Sequence, residues 1–196
     1  MDPSITRILD FWFDTRHLEN PQLWFLPDAT LDQTIKDQFS DLISQARTPN
    51  LDGWTENPQG VLAMLILLDQ FPRNIFRGSP ESYAFDAKAL NVSARAITNG
   101  FDRQVTLMQQ TFFYTPFMHS ESLLGQIASV ALYEGLVQRC ELDSPSKAYA
   151  TSGLGFAKGH RDVIARFGRF PSRNGVLRRE STEEEKKFLE EHPGGF

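Results

Sequence analysis

The chain has 196 residues, of which 40% are hydrophobic and 12% aromatic, with 16 Phe; that apolar content supports a packed core and excludes a disordered chain. A single cysteine, Cys140, excludes an internal disulfide and a multi-cysteine zinc site. The net charge of −5 argues against general nucleic-acid affinity, because phosphate binding needs clustered cations.

The start, Met1-Asp2-Pro3, carries an early acid and neither a basic nor an apolar leader region, so a cytoplasmic protein is expected. The longest apolar run, Val61 to Leu68, is far too short for a bilayer, so no membrane partner is expected. The length is that of one domain, residues 1–196.

Ile5, Ile8, Leu9 and Trp12 recur at helical spacing after Pro3-Ser4 and predict a first helix. Thr30 is positioned to cap a second, whose face is Leu31, Ile35, Phe39, Leu42, Ile43 and Ala46. Residues 48–58, rich in Pro, Asn, Asp and Gly, read as a loop. The stretch Gln59 to Gln70 is apolar nearly all round, so it reads as a buried central helix that Pro72 ends. Ser79-Pro80 reads as the opening of the next helix and Asn99-Gly100 as its close.

Thr106 begins an aromatic helix through Tyr114, which Pro116 separates from a longer one over Phe117 to Arg139. Ser144-Pro145 opens a helix reaching Phe167, and Ser181 with Glu184 forms a capping-box pair for the last. No stretch alternates with the period of a strand. The expected fold is all-α, an antiparallel array of about eight helices.

Charge is unevenly distributed. Lys158 to Arg179 holds seven cations (Lys158, Arg161, Arg166, Arg169, Arg173, Arg178 and Arg179) against Asp162, a balance of 7 − 1 = +6 that leaves −5 − 6 = −11 elsewhere. Such a segment reads as a local anion site or as a solvated face paired with acids. A second candidate is Asp69 to Arg77, where a carboxylate at a helix end precedes Arg73, Asn74 and Arg77. Asp69 paired with Arg73 would hold a guanidinium ready for a carboxylate or phosphate, or would only pin the turn.

On the helix expected from Phe117, Leu123, Leu124, Ile127, Val130 and Ala131 share an apolar arc that includes Glu134. His119, Ser122, Gln126, Ser129 and Tyr133 form a polar stripe. That stripe either lines a groove or faces solvent. Glu134 on the apolar arc is a candidate acid or a structural partner of an arginine. His160 is central to the stripe Phe156, His160, Val163, Ile164 and Phe167, and reads as a core histidine or as a general acid or base. Asp162 and Arg166 are spaced to pair.

His119, Glu121, Glu134, His160 and Asp162 lack the spacing of a metal site, and no phosphate or dinucleotide loop is present, so neither metal nor cofactor is expected. Cys140 has no histidine near it in sequence and is not expected to act as a nucleophile.

Three segments together carry a resemblance: Leu67-Leu68-Asp69-Gln70-Phe71-Pro72-Arg73-Asn74-Ile75-Phe76-Arg77-Gly78, Pro116-Phe117-Met118-His119-Ser120-Glu121-Ser122, and His160-Arg161-Asp162-Val163-Ile164-Ala165-Arg166-Phe167-Gly168-Arg169-Phe170-Pro171-Ser172-Arg173-Asn174. In this order they resemble an uncharacterised bacterial and fungal family, domain of unknown function 924. The resemblance implies a tetratricopeptide-like helical fold and no particular reaction. The family usually has histidine where this chain has Ser172 and leucine where it has Thr115.

The leading expectation is a site for a small anionic molecule. Asp69, Arg73, Asn74, Arg77, Gln126, Arg161, Arg169, Arg173 and Asn174 would bind it, His160 or His119 would carry a proton, and Glu121 or Glu134 would be the partner carboxylate. The alternatives are a tetratricopeptide-like module that clamps a peptide carboxylate, or an internal ion network that fixes helix packing.

Overall fold

The computed structural model describes residues 2–142 and 144–194. Among the described residues the fold is all-α, 77% helical, with ten α-helices and no strand. None of these helices is long and apolar enough to cross a membrane. By its internal contacts the chain forms two units, the first comprising residues up to Arg77 with Glu81–Phe113, the second Gly78–Pro80 with Tyr114 onward.

In the first unit, α1 (Pro3–Trp12) is capped by Asp2, whose carboxylate accepts the Ser4 N–H at 2.8 Å. After the short α2 (Thr15–Glu19) and a 3-10 turn at Pro21–Trp24 comes α3 (Ala29–Ala46). All six expected apolar residues of α3 are buried. Its cap is Asp28 and not Thr30, because the Asp28 carboxylate accepts from both Thr30 N–H and Leu31 N–H. The expected loop 48–58 is mostly a 3-10 helix, Pro49–Glu56, which places Trp54 over Gly60. A Cβ at Gly60 would meet the Trp54 carbonyl oxygen at 2.2 Å, so only glycine fits there.

Pro72 does not end the central helix. α4 (Pro58–Leu65), a π turn at Ile66–Gln70 and α5 (Phe71–Ile75) run on without a break. Proline lacks an N–H, and its ring crowds the carbonyl four residues back in an α-helix. Widening the turn, with Phe71 N–H donating to Ile66 O five residues back, lets the chain carry the ring and continue. Ser79-Pro80 likewise opens only a 3-10 turn, Pro80–Ser82, because the Ser82 hydroxyl donates to the Phe76 carbonyl and bends the chain back. The regular helix α6 begins later, at Asp86–Thr98.

The rings of Trp12, Trp24, Phe39, Phe71 and Phe112 form the aromatic centre of this unit, with Trp24 Nε1 donating to the Trp12 carbonyl at 2.8 Å. These apolar contacts on α1, α3, α4 and α5 are the dominant stabilising term.

α7 (Leu107–Met118) starts in the first unit, ends in the second, and passes through Pro116, where a break was expected. Only half a turn remains beyond that proline, so few bonds depend on it, and His119 N–H still reaches Thr115 O at 3.0 Å. α8 (Leu123–Arg139), capped by Ser122, therefore begins six residues after the expected Phe117. It packs on α9 (Pro145–Phe167), which keeps its expected bounds. Gly153 of α9 receives the Tyr133 ring, for a Cβ there would lie 2.6 Å from a ring carbon. α10 (Glu183–Glu191) has its capping box one residue later than expected, at Thr182 and Glu185. Val163, Ile164, Phe170 and Phe188 form a core with Phe167 and Leu189 at its edge.

On α8 much of the expected apolar arc faces solvent, Val130 excepted, and the polar stripe turns inward. Gln126, Ser129 and Tyr133 are buried, whereas Leu123, Leu124 and Ile127 are exposed. Gln126 explains the inversion: its Nε2 donates to the carbonyls of Phe117, Met118 and Ser120, which satisfies the turn before α8 from inside.

Candidate functional site

The two motif groups lie in different units, and each has its own chemistry. In the first, the π turn presents Asp69, 1% exposed, to Arg73 one turn on. Arg73 Nη1 lies 3.1 Å from Asp69 Oδ1 and donates to the Asp69 carbonyl, while its Nη2 spans both oxygens of Asp86 at 2.9 and 3.0 Å. Burial disfavours the charged guanidinium, but Asp69 and Asp86 more than offset it, so the Arg73 pKa lies above its ordinary value. Gln70 Nε2 donates to the other Asp69 oxygen at 2.5 Å. Asn74 donates to Asp32 at 2.9 Å, and Arg77 reaches the same carboxylate at 3.4 Å. The expected Asp69–Arg73 pair is present, and Asp86 and Asp32 complete a network that pins the end of the central helix.

In the second unit, Glu121 lies in the turn between α7 and α8. Its two oxygens receive Arg179 Nη1 at 2.7 Å and Nη2 at 2.9 Å, and Oε1 also accepts the Phe170 N–H at 2.8 Å. Burial would raise the Glu121 pKa. Arg179, the Phe170 N–H and the nearby Arg173 charge together hold it below the usual carboxylate value. Arg179 further donates to Phe170 O and to Asn174 Oδ1, and Asn174 Nδ2 donates to Ser181 Oγ and Glu185. Glu185, 2% exposed, is gripped side-on by Arg169 at 2.6 and 2.8 Å and accepts the Thr182 N–H. The Arg169 hydrogen bonds bring the Glu185 pKa down to about 2.

This scaffold fixes the loop after α9, and with it Arg173. The Arg173 guanidinium lies 4.5 Å from the Phe170 ring centroid and donates to the His119 carbonyl at 2.9 Å. His160 of α9 stands edge-on to the same ring at 5.4 Å, and the His119 ring is 6.3 Å from that of His160. His160 Nδ1 lies 2.8 Å from the Phe156 carbonyl. A carbonyl only accepts, so Nδ1 carries the hydrogen of this contact. His160 and Arg173 thus meet at Phe170 from separate segments, and His119 joins them through its ring beside His160 and its carbonyl on Arg173. All three are intermediate in burial.

Other expected members are placed differently. Glu134 is exposed on α8 and faces Lys158 at 3.5 Å, because the arc that carries it points to solvent. Arg161 holds Asp162 through Nε and Nη2, so the expected Asp162–Arg166 pair does not form; Arg166 reaches Glu184 instead. Gln126 supports the α7–α8 turn. Phe156, expected on the apolar stripe of His160, is 55% exposed. Most of the basic run between Lys158 and Arg179 is therefore paired with acids from elsewhere in its unit. Among the described residues no group of three or more His, Cys, Asp and Glu side chains is placed to hold a metal ion.

Sequence reasoning missed Asp32, Asp86, Arg179 and Glu185. Arg179 lay inside the recognised basic run, but its partner Glu121 is 58 positions away and spacing carries no signal for it. The segments Phe71-Pro72-Arg73-Asn74 and Phe170-Pro171-Ser172-Arg173-Asn174 share Phe-Pro and Arg-Asn, and they share contacts as well. In both, the arginine donates to a backbone carbonyl, and the asparagine is buried and donates to a carboxylate.

The fold and its two polar turns are those of an all-α protein. The chain belongs to the family described as bacterial protein of unknown function (DUF924), which matches residues 8–193. It is similar to the solved structure of a protein of unknown function from Agrobacterium tumefaciens, with 40% identity, a TM-score of 0.83, and coverage of 96% of this chain and 98% of that one. None of the curated proteins matches it.

Proposed function

We propose that the second unit binds a small anionic molecule at His119, His160 and Arg173. The observation that carries this reading is that His160 and Arg173 both contact the Phe170 ring, with the His119 ring 6.3 Å from that of His160. Arg173 supplies a charge-assisted donor for a carboxylate or phosphate. His160, oriented by its Nδ1 contact with the Phe156 carbonyl, is the proton carrier, and His119 is its neighbour. Glu121 acts here as a positioning residue: clamped by Arg179, it fixes the loop that carries Arg173. Glu134 has no part in it, being exposed and paired with Lys158.

The test is a calorimetric screen of small carboxylates and phosphate esters against the wild-type chain, His160→Gln and Arg173→Lys. A ligand of this site loses at least tenfold in affinity in Arg173→Lys and shifts the His160 ring signals in NMR. No binding by any of these anions, or binding equal in both variants, overturns the proposal. A tetratricopeptide-like module for peptides would instead retain a stoichiometric protein partner in a pull-down that survives His160→Gln.

A further inference from the structure

The outer side of α8 carries an apolar arc that the second unit leaves uncovered. Leu123, Leu124 and Ile127 are 48%, 76% and 52% exposed, and Ala131, one turn further on, is exposed as well. Residues three and four apart adjoin on a helix surface, so these side chains form one patch. Leu124, Ile127, Ala131, Glu134 and Gln138 all lie on the exposed side at intervals of +3, +4, +3 and +4, the spacing of a seam between two helices. The opposite side, with Gln126, Ser129, Val130, Tyr133 and Leu136, is already buried.

Charge, shape and area specify what covers the arc. Glu134, the charged member of the arc, has Lys158 of α9 3.5 Å away, so the pair presents no net charge. An anionic membrane is drawn by clustered cations and gains little from such a surface. Two copies of this chain meet on it without repulsion. In shape, the large Leu124 and Ile127 are followed by the small Ala128 and Ala131. An antiparallel pairing, with a two-fold axis between Ile127 and Ala128, sets Leu124 of one copy on Ala131 of the other. The same axis sets Ile127 on Ala128, so large meets small throughout. A parallel pairing sets Leu124 on Leu124 and Ala131 on Ala131, crowding one end and leaving a void at the other.

The three large side chains expose roughly 300 Å² per copy, which corresponds to a contact of about 1,000 Å² in all once a polar rim is included. That is the low end of specific interfaces and fits a dimer that dissociates on dilution. We infer that the Leu124–Ile127–Ala131 arc of α8 is the seam of an antiparallel homodimer. The inference is independent of the anion site at His119, His160 and Arg173, none of which belongs to the arc.

The test is equilibrium sedimentation of the full chain between about 5 and 500 μM, with the average mass expected to climb towards twice that of one chain. Leu124 is mostly exposed, so Leu124→Glu keeps the fold, which circular dichroism checks; it weakens association about a hundredfold, because a symmetric contact carries the change twice. Leu142→Glu alters an 81% exposed leucine outside the arc and leaves association unchanged. Geometry is read from oxidative cross-linking. In the double variant Leu124→Cys, Ala131→Cys the two sites lie about 10 Å apart along the helix, too far to bridge within one copy. It gives a covalent dimer, whereas Leu124→Cys alone does not; Cys140 is buried and stays out of the reaction. A mass of one chain at every concentration overturns the inference. So does association that Leu124→Glu leaves intact, or cross-linking by Leu124→Cys alone as efficient as by the pair. Sedimentation of a single-chain protein with phosphatidylcholine vesicles, lost in Leu124→Glu, assigns the arc to a membrane surface and overturns it as well.

Discussion

Replacing Glu185 by Gln tests whether the polar network of the second unit stabilises the fold through charge. Glu185 is 2% exposed and accepts from Arg169, Asn174 and the Thr182 N–H. Its pKa falls from 4.5 to about 2, the Arg169 hydrogen bonds being the main cause. At 1.36 kcal/mol per pH unit, that drop corresponds to about 3 kcal/mol as an upper figure, and about 2 kcal/mol after screening at the edge of the site. Because the folded-state pKa is the lower one, this stability is fully present above the unfolded value near 4.5. It disappears as pH falls from there towards 2.

Glutamine retains the shape and an acceptor oxygen but has no charge to lose. The assay is urea unfolding of wild type and Glu185→Gln between pH 7 and pH 2.5, comparing the difference at each pH. Asp2, Asp14, Asp28 and Glu121 also have lowered pKa values, and they cancel in that difference. The expected gap is about 2–3 kcal/mol at neutral pH and shrinks below about 1 kcal/mol at pH 2.5. A gap that stays constant over this range refutes the charge argument and leaves only packing.

Three further substitutions probe the packing of α8 and α9. Gly153→Ala drives a Cβ into the buried Tyr133 ring and costs about 1–3 kcal/mol, whereas Gly155→Ala, with nothing within 4 Å of its Cβ, is neutral or stabilises by up to about 1 kcal/mol; the first melting temperature should fall and the second hold or rise. Gln126→Leu strips the Phe117, Met118 and Ser120 carbonyls of their shared donor. It lowers stability by about 2–4 kcal/mol in chemical denaturation, and a change within about 0.5 kcal/mol contradicts the role assigned to its amide.

Helix content was legible in the sequence because its causes are local. The face of α3 repeats at helical spacing, the proline and serine at the start of α9 act within one turn, and both helices form where these signals place them. Prolines were misread for a related reason. The π turn before Pro72 and the run through Pro116 are decided by whether the surrounding core supports a helix that has lost one bond, and a single residue type does not encode that.

The buried side of α8 was not legible, since polar groups such as Gln126 are buried wherever tertiary partners satisfy them. The candidate sites divide in the same way. Asp69 with Arg73, four residues apart, could be read from spacing. The clamp of Glu121 by Arg179 exists only once distant segments meet. Sequence alone determined the helices and the inventory of charged groups. Tertiary structure decided which arginines are neutralised by which acids, because pairing depends on separation in space and not along the chain.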